Sequence, residues 1–224
     1  VIHRRLDLRD GQLVCPDFPD AAKLIAVPDL AQDKRLAHLC LHQTDLAFAL
    51  QCLDELATTE PAEPPDVVRR ALWNAALVAA YKCFGGSRAR TRLDPSLIFD
   101  AGDQRDTFDY FKHLRDKHIA HDDNDLAQAI VGAVLEFPDV EPKVPEVLCT
   151  VVLFLTVGEQ NMGALRCVVD KALAWVINEI DVVSDEIRGA MNEQTYEELD
   201  GLPGVKVNLP TNGTIGVTRS TPAK

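Results

Sequence analysis

The six cysteines (Cys15, Cys40, Cys52, Cys83, Cys149, Cys167) include no C-x-x-C pair, so the paired thiolates of a structural zinc site or a redox couple are lacking. They sit singly, mostly inside apolar runs, and are expected to be small, buried and reduced. Long apolar runs are lacking too. The longest, Val147 to Val157 interrupted only by Thr150 and Thr156, falls far short of the roughly 20 residues that span a bilayer. No membrane association is therefore expected. The basic start Val1-Ile2-His3-Arg4-Arg5 leads into no apolar segment of the secretory kind, which makes the cytoplasm the expected compartment. A chain that begins with Val rather than Met is expected to be a piece of a longer product. There is no internal repeat, no low-complexity block, no P-loop, no Rossmann glycine fingerprint, no G-x-S-x-G elbow and no Cys-His nucleophile pattern. Most familiar chemistries are excluded by these absences.

Positive charge is also short. Twenty-three Lys and Arg face 35 Asp and Glu, a net charge of −12, which argues against a protein whose whole surface attracts nucleic acid or anionic lipid. The deficit is uneven, because Val67 to Leu93 holds Arg69, Arg70, Lys82, Arg88, Arg90 and Arg92 and no acidic residue. Such a strip can hold a polyanion locally; the alternative is a solvated helix face and loop.

With 224 residues, 46% of them hydrophobic, the chain can bury a real core as one generous domain or two small ones. Its ends read as extended. Leu6–Arg9 and Gln12–Cys15 flank Asp10-Gly11, and Val205–Leu209 and Thr214–Val217 flank Asn212-Gly213, both turn signals for small hairpins. Pro203, Pro210 and Pro222 argue against a long central strand at the C-terminal end. The middle has helical spacing. Leu36, Leu39, Cys40, Leu46, Ala47, Leu50 and Leu53 predict a helix over about 30–57, ended by the Pro-rich stretch 61–65. Val68, Ala71, Leu72, Ala75, Ala79 and Cys83 predict a second over about 66–84, closed by a left-handed cap at Gly85-Gly86. A third is expected from Asp103 or Gln104 to His121. Ala127–Phe137 and Val144–Val157 read as a β-hairpin, with helix as the alternative. Leu165, Val168, Val169, Ala172, Val176, Ile180, Val183 and Ile187 predict a last, long helix over about 159–198.

The third helix carries the chemistry. Phe108, Phe111 and Ile119 form an apolar stripe, and Arg115 takes the place on it where a Leu is expected. Taking a guanidinium out of water costs several kcal/mol unless it is paired, so Arg115 should meet a carboxylate or face a groove kept wet for a ligand. His118 and His121 follow at one-turn steps. On an ideal helix Arg115 and His121 point about 120° apart, so one copy can aim both at one phosphate only if the helix ends or bends near His121. Asp122-Asp123-Asn124-Asp125 supplies such a break. The competing reading is structural: Arg115 pairs with Asp109, Asp116 or a partner's carboxylate, and His121 caps the helix end.

Arg115-Asp116-Lys117-His118-Ile119-Ala120-His121 resembles the signature of the HEPN superfamily, an Arg, a following polar residue and a His four to six residues downstream, and Leu-Arg-Asp-Lys-x-Ile-Ala-His-Asp looks like its AbiU2-like branch, associated with abortive infection and toxin-antitoxin loci. The specific match spans about ten residues. The resemblance implies a mainly α fold: a HEPN-like bundle of about four long helices over 30–200, with the β-hairpin insert at about 127–157, an extended N-terminal arm (1–29) and an extended C-terminal tail (201–224). It further implies a homodimer that brings two motifs together, and metal-independent RNA cleavage without a cofactor. In that chemistry His121 moves protons, Arg115 holds the scissile phosphate and Asp116 orients one of them. Asp116 departs from the commoner Asn, and its charge opposes a phosphate unless Lys117 or Arg115 neutralises it. Arg88, Arg90, Arg92, Lys117 and His118 are the expected RNA contacts, and a cognate antitoxin protein is an expected partner. A non-catalytic RNA-, nucleotide- or protein-binding module is the rival reading.

One further cluster, His38, His42 and Asp45, lies at i, i+4 and i+7 of the first helix. Two His at i, i+4 can chelate a metal, but the third ligand lies too far along the axis, so a polar helix face or interface is expected and no metal site. Trp73, Tyr81, Phe108, Tyr110, Phe111 and Trp175 are expected as core or dimer contacts rather than base-stacking platforms.

Overall fold

The computed structural model describes residues 7–9, 12–18, 21, 23–28, 31–58, 67–86, 90–121, 124–205 and 211–214. Among them the chain is mainly helical: α1 (Ala31–Thr58), α2 (Val67–Lys82), α3 (Asp103–Leu114), α4 (Glu159–Asn192) and the short α5 (Tyr196–Asp200). Two antiparallel hairpins complete it, β1 (Asp7–Arg9) with β2 (Gln12–Val14), and β3 (Ala127–Val134) with β4 (Glu146–Leu153). No described helix is long and apolar enough to cross a membrane.

Contacts divide the chain into two compact units. The first comprises Val1–Thr44, Gly85–Leu93 and Leu173–Lys224. Here the expected N-terminal hairpin forms, with Leu8 opposite Leu13 and Arg9 opposite Gln12. Ile25 bridges Gly204, and the Ala26 N–H donates to the Pro203 carbonyl at 2.8 Å. Of the expected C-terminal hairpin, positions 206–210 and 215–217 lie outside the described residues. The long helix ends sooner than its spacing suggests, at Asn192, because Thr195 begins a new one. The Thr195 hydroxyl accepts from the Glu198 N–H while the Glu198 carboxylate accepts from the Thr195 N–H, a reciprocal cap that starts α5.

The second unit, Asp45–Phe84 with Asp94–Ala172, holds an aromatic core. Phe108 lies at its centre, with ring centroids 4.8 Å from Phe84, 4.9 Å from Phe99 and 5.2 Å from Tyr81. Trp73 meets Phe111 edge-on and its indole N–H donates to the Thr156 hydroxyl at 2.9 Å. The Tyr81 hydroxyl donates to the Phe108 carbonyl at 2.8 Å, joining α2 to α3. Burial together with the Asp109 and Asp116 carboxylates pushes this phenol upward, so it stays a neutral donor.

The expected α2 face is met in part. Ala79, and Cys83 just past the helix end, are buried as expected, while Leu72 and Ala75 are half-buried and Val68 and Ala71 exposed. The buried face is wider than expected and takes in Trp73, Ala76, Leu77, Ala80 and Tyr81, drawn by the bulk of the two aromatic side chains. Arg69 goes inside with that face. At 6% exposure it donates to the Leu56 carbonyl near the end of α1 at 3.2 Å, offering a charged donor to a helix terminus whose carbonyls lack intrahelical partners. Nor does Gly86 take the left-handed cap. The positive φ among the described glycines, +89°, belongs to Gly102 at the start of α3, where a side chain would be strained.

Candidate functional site: the turn that ends the third helix

Asp103 and Asp106 in the first turn of α3 and Lys112 and His113 in its last complement the helix dipole. At Leu114 the ladder widens without a break in the backbone: Arg115–Ile119 forms one π turn, closed by the Ala120 N–H donating to the Arg115 carbonyl at 2.9 Å. Such single turns recur at functional sites and disturb the regular placement of side chains. Because the helix stops there, His121 is not held to the azimuth of an ideal helix.

The buried stripe of α3 runs Phe108, Phe111, Leu114. Arg115 therefore flanks the stripe rather than interrupting it, since Leu114 takes the core position three residues after Phe111. The Arg115 side chain stays 32% exposed, and its Nη1 donates to the Asp116 carboxylate at 2.8 Å. The other oxygen of Asp116 accepts from Lys112 at 3.1 Å. Partial burial would raise the Asp116 pKa, but the hydrogen bonds and charges of Arg115 and Lys112 together outweigh it and hold the carboxyl below its ordinary value. Asp116 is thus an ionised carboxylate shared by two cations. Lys112, and not Lys117, joins Arg115 in neutralising it. The i, i+4 spacing of Lys112 and Asp116 was legible as a helix ion pair, although nothing in the sequence set Lys112 apart from other lysines.

Two buried nitrogens in this turn, Arg115 Nε and His118 Nδ1, have no hydrogen-bond partner among the described residues. Leaving a buried polar group unsatisfied costs on the order of 1–3 kcal/mol; Arg115 Nε is a donor that would favour an acceptor from outside the chain, while His118 Nδ1 donates or accepts according to its tautomer. His121 and Lys117 are exposed. Lys112, Arg115 and Lys117 with His113, His118 and His121 stand beside Asp116, and the acidic run Asp122-Asp123-Asn124-Asp125 follows directly in the sequence.

Of the other expected contacts, the described ones belong to the other unit. Arg90 is half-buried and Arg92 exposed in the stretch that belongs to the first unit, whereas Arg115, Asp116, Lys117, His118 and His121 belong to the second; Arg88 lies outside the described residues. Within the basic strip Arg69 is core, and Lys82 pairs with Asp45 at 3.1 Å. The histidines of α1 are structural: His42, 1% exposed, bonds through Nε2 to the Thr91 carbonyl at 2.8 Å, and His38 contacts the Thr91 hydroxyl at 3.2 Å, pinning this stretch to the helix. Among the described residues no group of three or more His, Cys, Asp or Glu could hold a metal. An open, largely apolar cavity of about 280 Å³ lies against Phe99, Thr107 and Val168, with Lys171 bonded to Asp100 beside it; none of the motif residues line it.

No family model matches the chain, and neither a curated protein nor a solved structure is significantly similar to it.

Proposed function

We propose that the turn at the end of α3 is an RNA-handling site and that the chain is a HEPN-like, metal-independent endoribonuclease acting as a homodimer, of the kind found in toxin-antitoxin or phage-defence systems. The observation that carries this reading is the half-exposed Arg115, tied through one nitrogen to an ionised Asp116 and left with a buried, unsatisfied Nε one helical turn from the equally unsatisfied His118 Nδ1.

In this reading Arg115 meets a phosphate through the planar fork that suits it, and stabilises the charge that grows on the non-bridging oxygens. Asp116 fixes the guanidinium by its Nη1 and leaves the remaining donors for the ligand. His121 withdraws the ribose 2′-hydroxyl proton. The 2′-oxygen attacks phosphorus, the bond to the 5′-oxygen breaks, and the His121 of a second copy returns a proton to that leaving oxygen. The products are a 2′,3′-cyclic phosphate and a 5′-hydroxyl. Labelled RNA incubated with purified protein in excess chelator tests the proposal. Cleavage to those ends, lost in Arg115→Ala and His121→Ala, is the expected result; no cleavage by the wild type, or cleavage unchanged in both variants, refutes it.

A second reading, a non-catalytic interaction module that binds RNA, a nucleotide or an antitoxin protein, is favoured by the apolar β3–β4 ribbon, most of whose large side chains are exposed. In that case RNA binds with Arg115-dependent affinity and leaves uncut, or fails to bind at all.

A further inference from the structure

The β3–β4 ribbon presents an arrangement that a solitary hairpin cannot sustain. Its eight pairs run from Ala127 opposite Leu153 to Val134 opposite Glu146. Opposed residues share a face and faces alternate along a strand. One face therefore carries the pairs Ala127/Leu153, Ala129/Val151, Val131/Cys149 and Ala133/Val147, without a polar side chain among them. The reverse face is mixed, with Gln128, Thr150 and Glu146 interspersed. The apolar face is open: Val131 is 69%, Val147 66% and Val151 63% exposed. A two-stranded ribbon is marginal in water on its own, and contiguous exposed apolar surface of this kind marks an interaction site.

We infer that this face docks against the same face of a second copy of the chain. The relief of the surface selects that occupant. The β3 row is low, three alanines and one valine, while the β4 row is high, with Val147, Cys149, Val151 and Leu153. A two-fold axis parallel to the strands, lying between the two faces, sets the high row of each copy over the low row of the other. The same operation fills both grooves at once, which is the self-complementarity an isologous interface requires. No charge has to be desolvated on this face. Sheets packed in this way stand about 10 Å apart, a spacing that alternating large and small side chains fill.

The size of the face decides whether the ribbon suffices. Eight residues at about 3.3 Å each give strands about 26 Å long, close to the edge of a standard interface patch of roughly 800 Å² per partner. The ribbon is much narrower than such a patch, so the exposed Leu135, Phe137, Phe154 and Leu155 have to contribute beyond its ends. Area alone does not fix affinity, so the strength of association is read from the titration below. This interface is independent of the RNA-handling proposal and stands if the chain cleaves nothing.

Sedimentation equilibrium of the full chain from about 1 to 100 µM is the test. The wild type is expected to move from monomer to dimer. Ala129→Glu and Val151→Lys, each at an exposed position of the apolar face, should each weaken association at least a hundredfold. Mixed in equal amounts they should recover a heterodimer, since Ala129 of one copy lies over Val151 of the other. Ile130→Glu, on the mixed face, should leave dimerisation unchanged, and circular dichroism should show all variants as helical as the wild type. A wild type that stays monomeric at 100 µM overturns the inference. So does a Val151→Lys chain that still dimerises with wild-type affinity, or an Ile130→Glu chain that loses it as completely. An equimolar mixture that stays monomeric overturns the paired arrangement.

Discussion

Replacing Phe108 by alanine probes the link between the aromatic core and the turn that follows it. Phe108 is 1% exposed and meets three rings within about 5 Å, while its own carbonyl accepts from Tyr81. Truncating a buried Phe costs about 3–5 kcal/mol through lost burial and the cavity left behind. The three ring pairs, worth roughly 0.5–1.5 kcal/mol each beyond burial, place this site toward the upper end, so about 4 kcal/mol is expected. Phe108→Leu keeps most of the volume and loses the ring geometry, at roughly 1–2 kcal/mol. Trp73 packs edge-on against Phe111 in the same unit; Trp175, the other tryptophan, belongs to the first unit. In a Trp175→Phe background, Trp73 fluorescence therefore reports the second unit alone. With a urea dependence of about 2 kcal/mol per molar, Phe108→Ala should lower the midpoint by about 2 M. A shift below about 0.5 M with an unchanged slope would refute the reasoning, because it would mean that Phe108 does not organise this core.

Tyr81→Phe removes one buried hydroxyl from the junction of α2 and α3, and should cost about 0.5–1.5 kcal/mol in the same urea experiment; no loss would mean that the 2.8 Å bond contributes nothing. Asp116→Asn tests the shared carboxylate through its pH dependence. The folded pKa of Asp116 is depressed, so its stabilisation is fully present above the unfolded value of about 3.9 and is lost as pH falls through the lower folded value. The stability gap between wild type and Asp116→Asn should thus be constant near neutrality and close in acid; a gap that widens in acid would contradict the ion-pair assignment. The same substitution removes a negative charge beside Arg115 and should tighten RNA binding at low salt, read by a filter or polarisation titration.

Much of the helical pattern was legible because long periodic segments advertise themselves. Every apolar position assigned to the last helix from Leu165 to Ile187 is buried, and the β3–β4 hairpin forms where β-branched runs flank Pro-containing residues. Faces were harder to read than elements. On α1 the buried line includes His42, Ala49, Cys52 and Leu56, and on α2 it includes Arg69. A hydrophobic count passes over His42 and Arg69, and what makes each tolerable inside is a distant carbonyl, Thr91 for one and Leu56 for the other. The motif shows the same limit. The Arg, Asp and His were visible as letters, and the i, i+4 step from Lys112 to Asp116 was there to be read, whereas the π turn depends on backbone geometry that residue spacing does not encode.

The central claim is that Arg115 and His121 form a site that acts on RNA phosphates. Single-turnover cleavage of a labelled RNA in excess chelator, with wild type, Arg115→Ala and His121→Ala side by side, tests it most directly. The claim predicts a 2′,3′-cyclic phosphate product and a rate lower by about 10²–10⁴ in His121→Ala, with both variants folded. Intact RNA with the wild type, or equal rates in all three proteins, would contradict it.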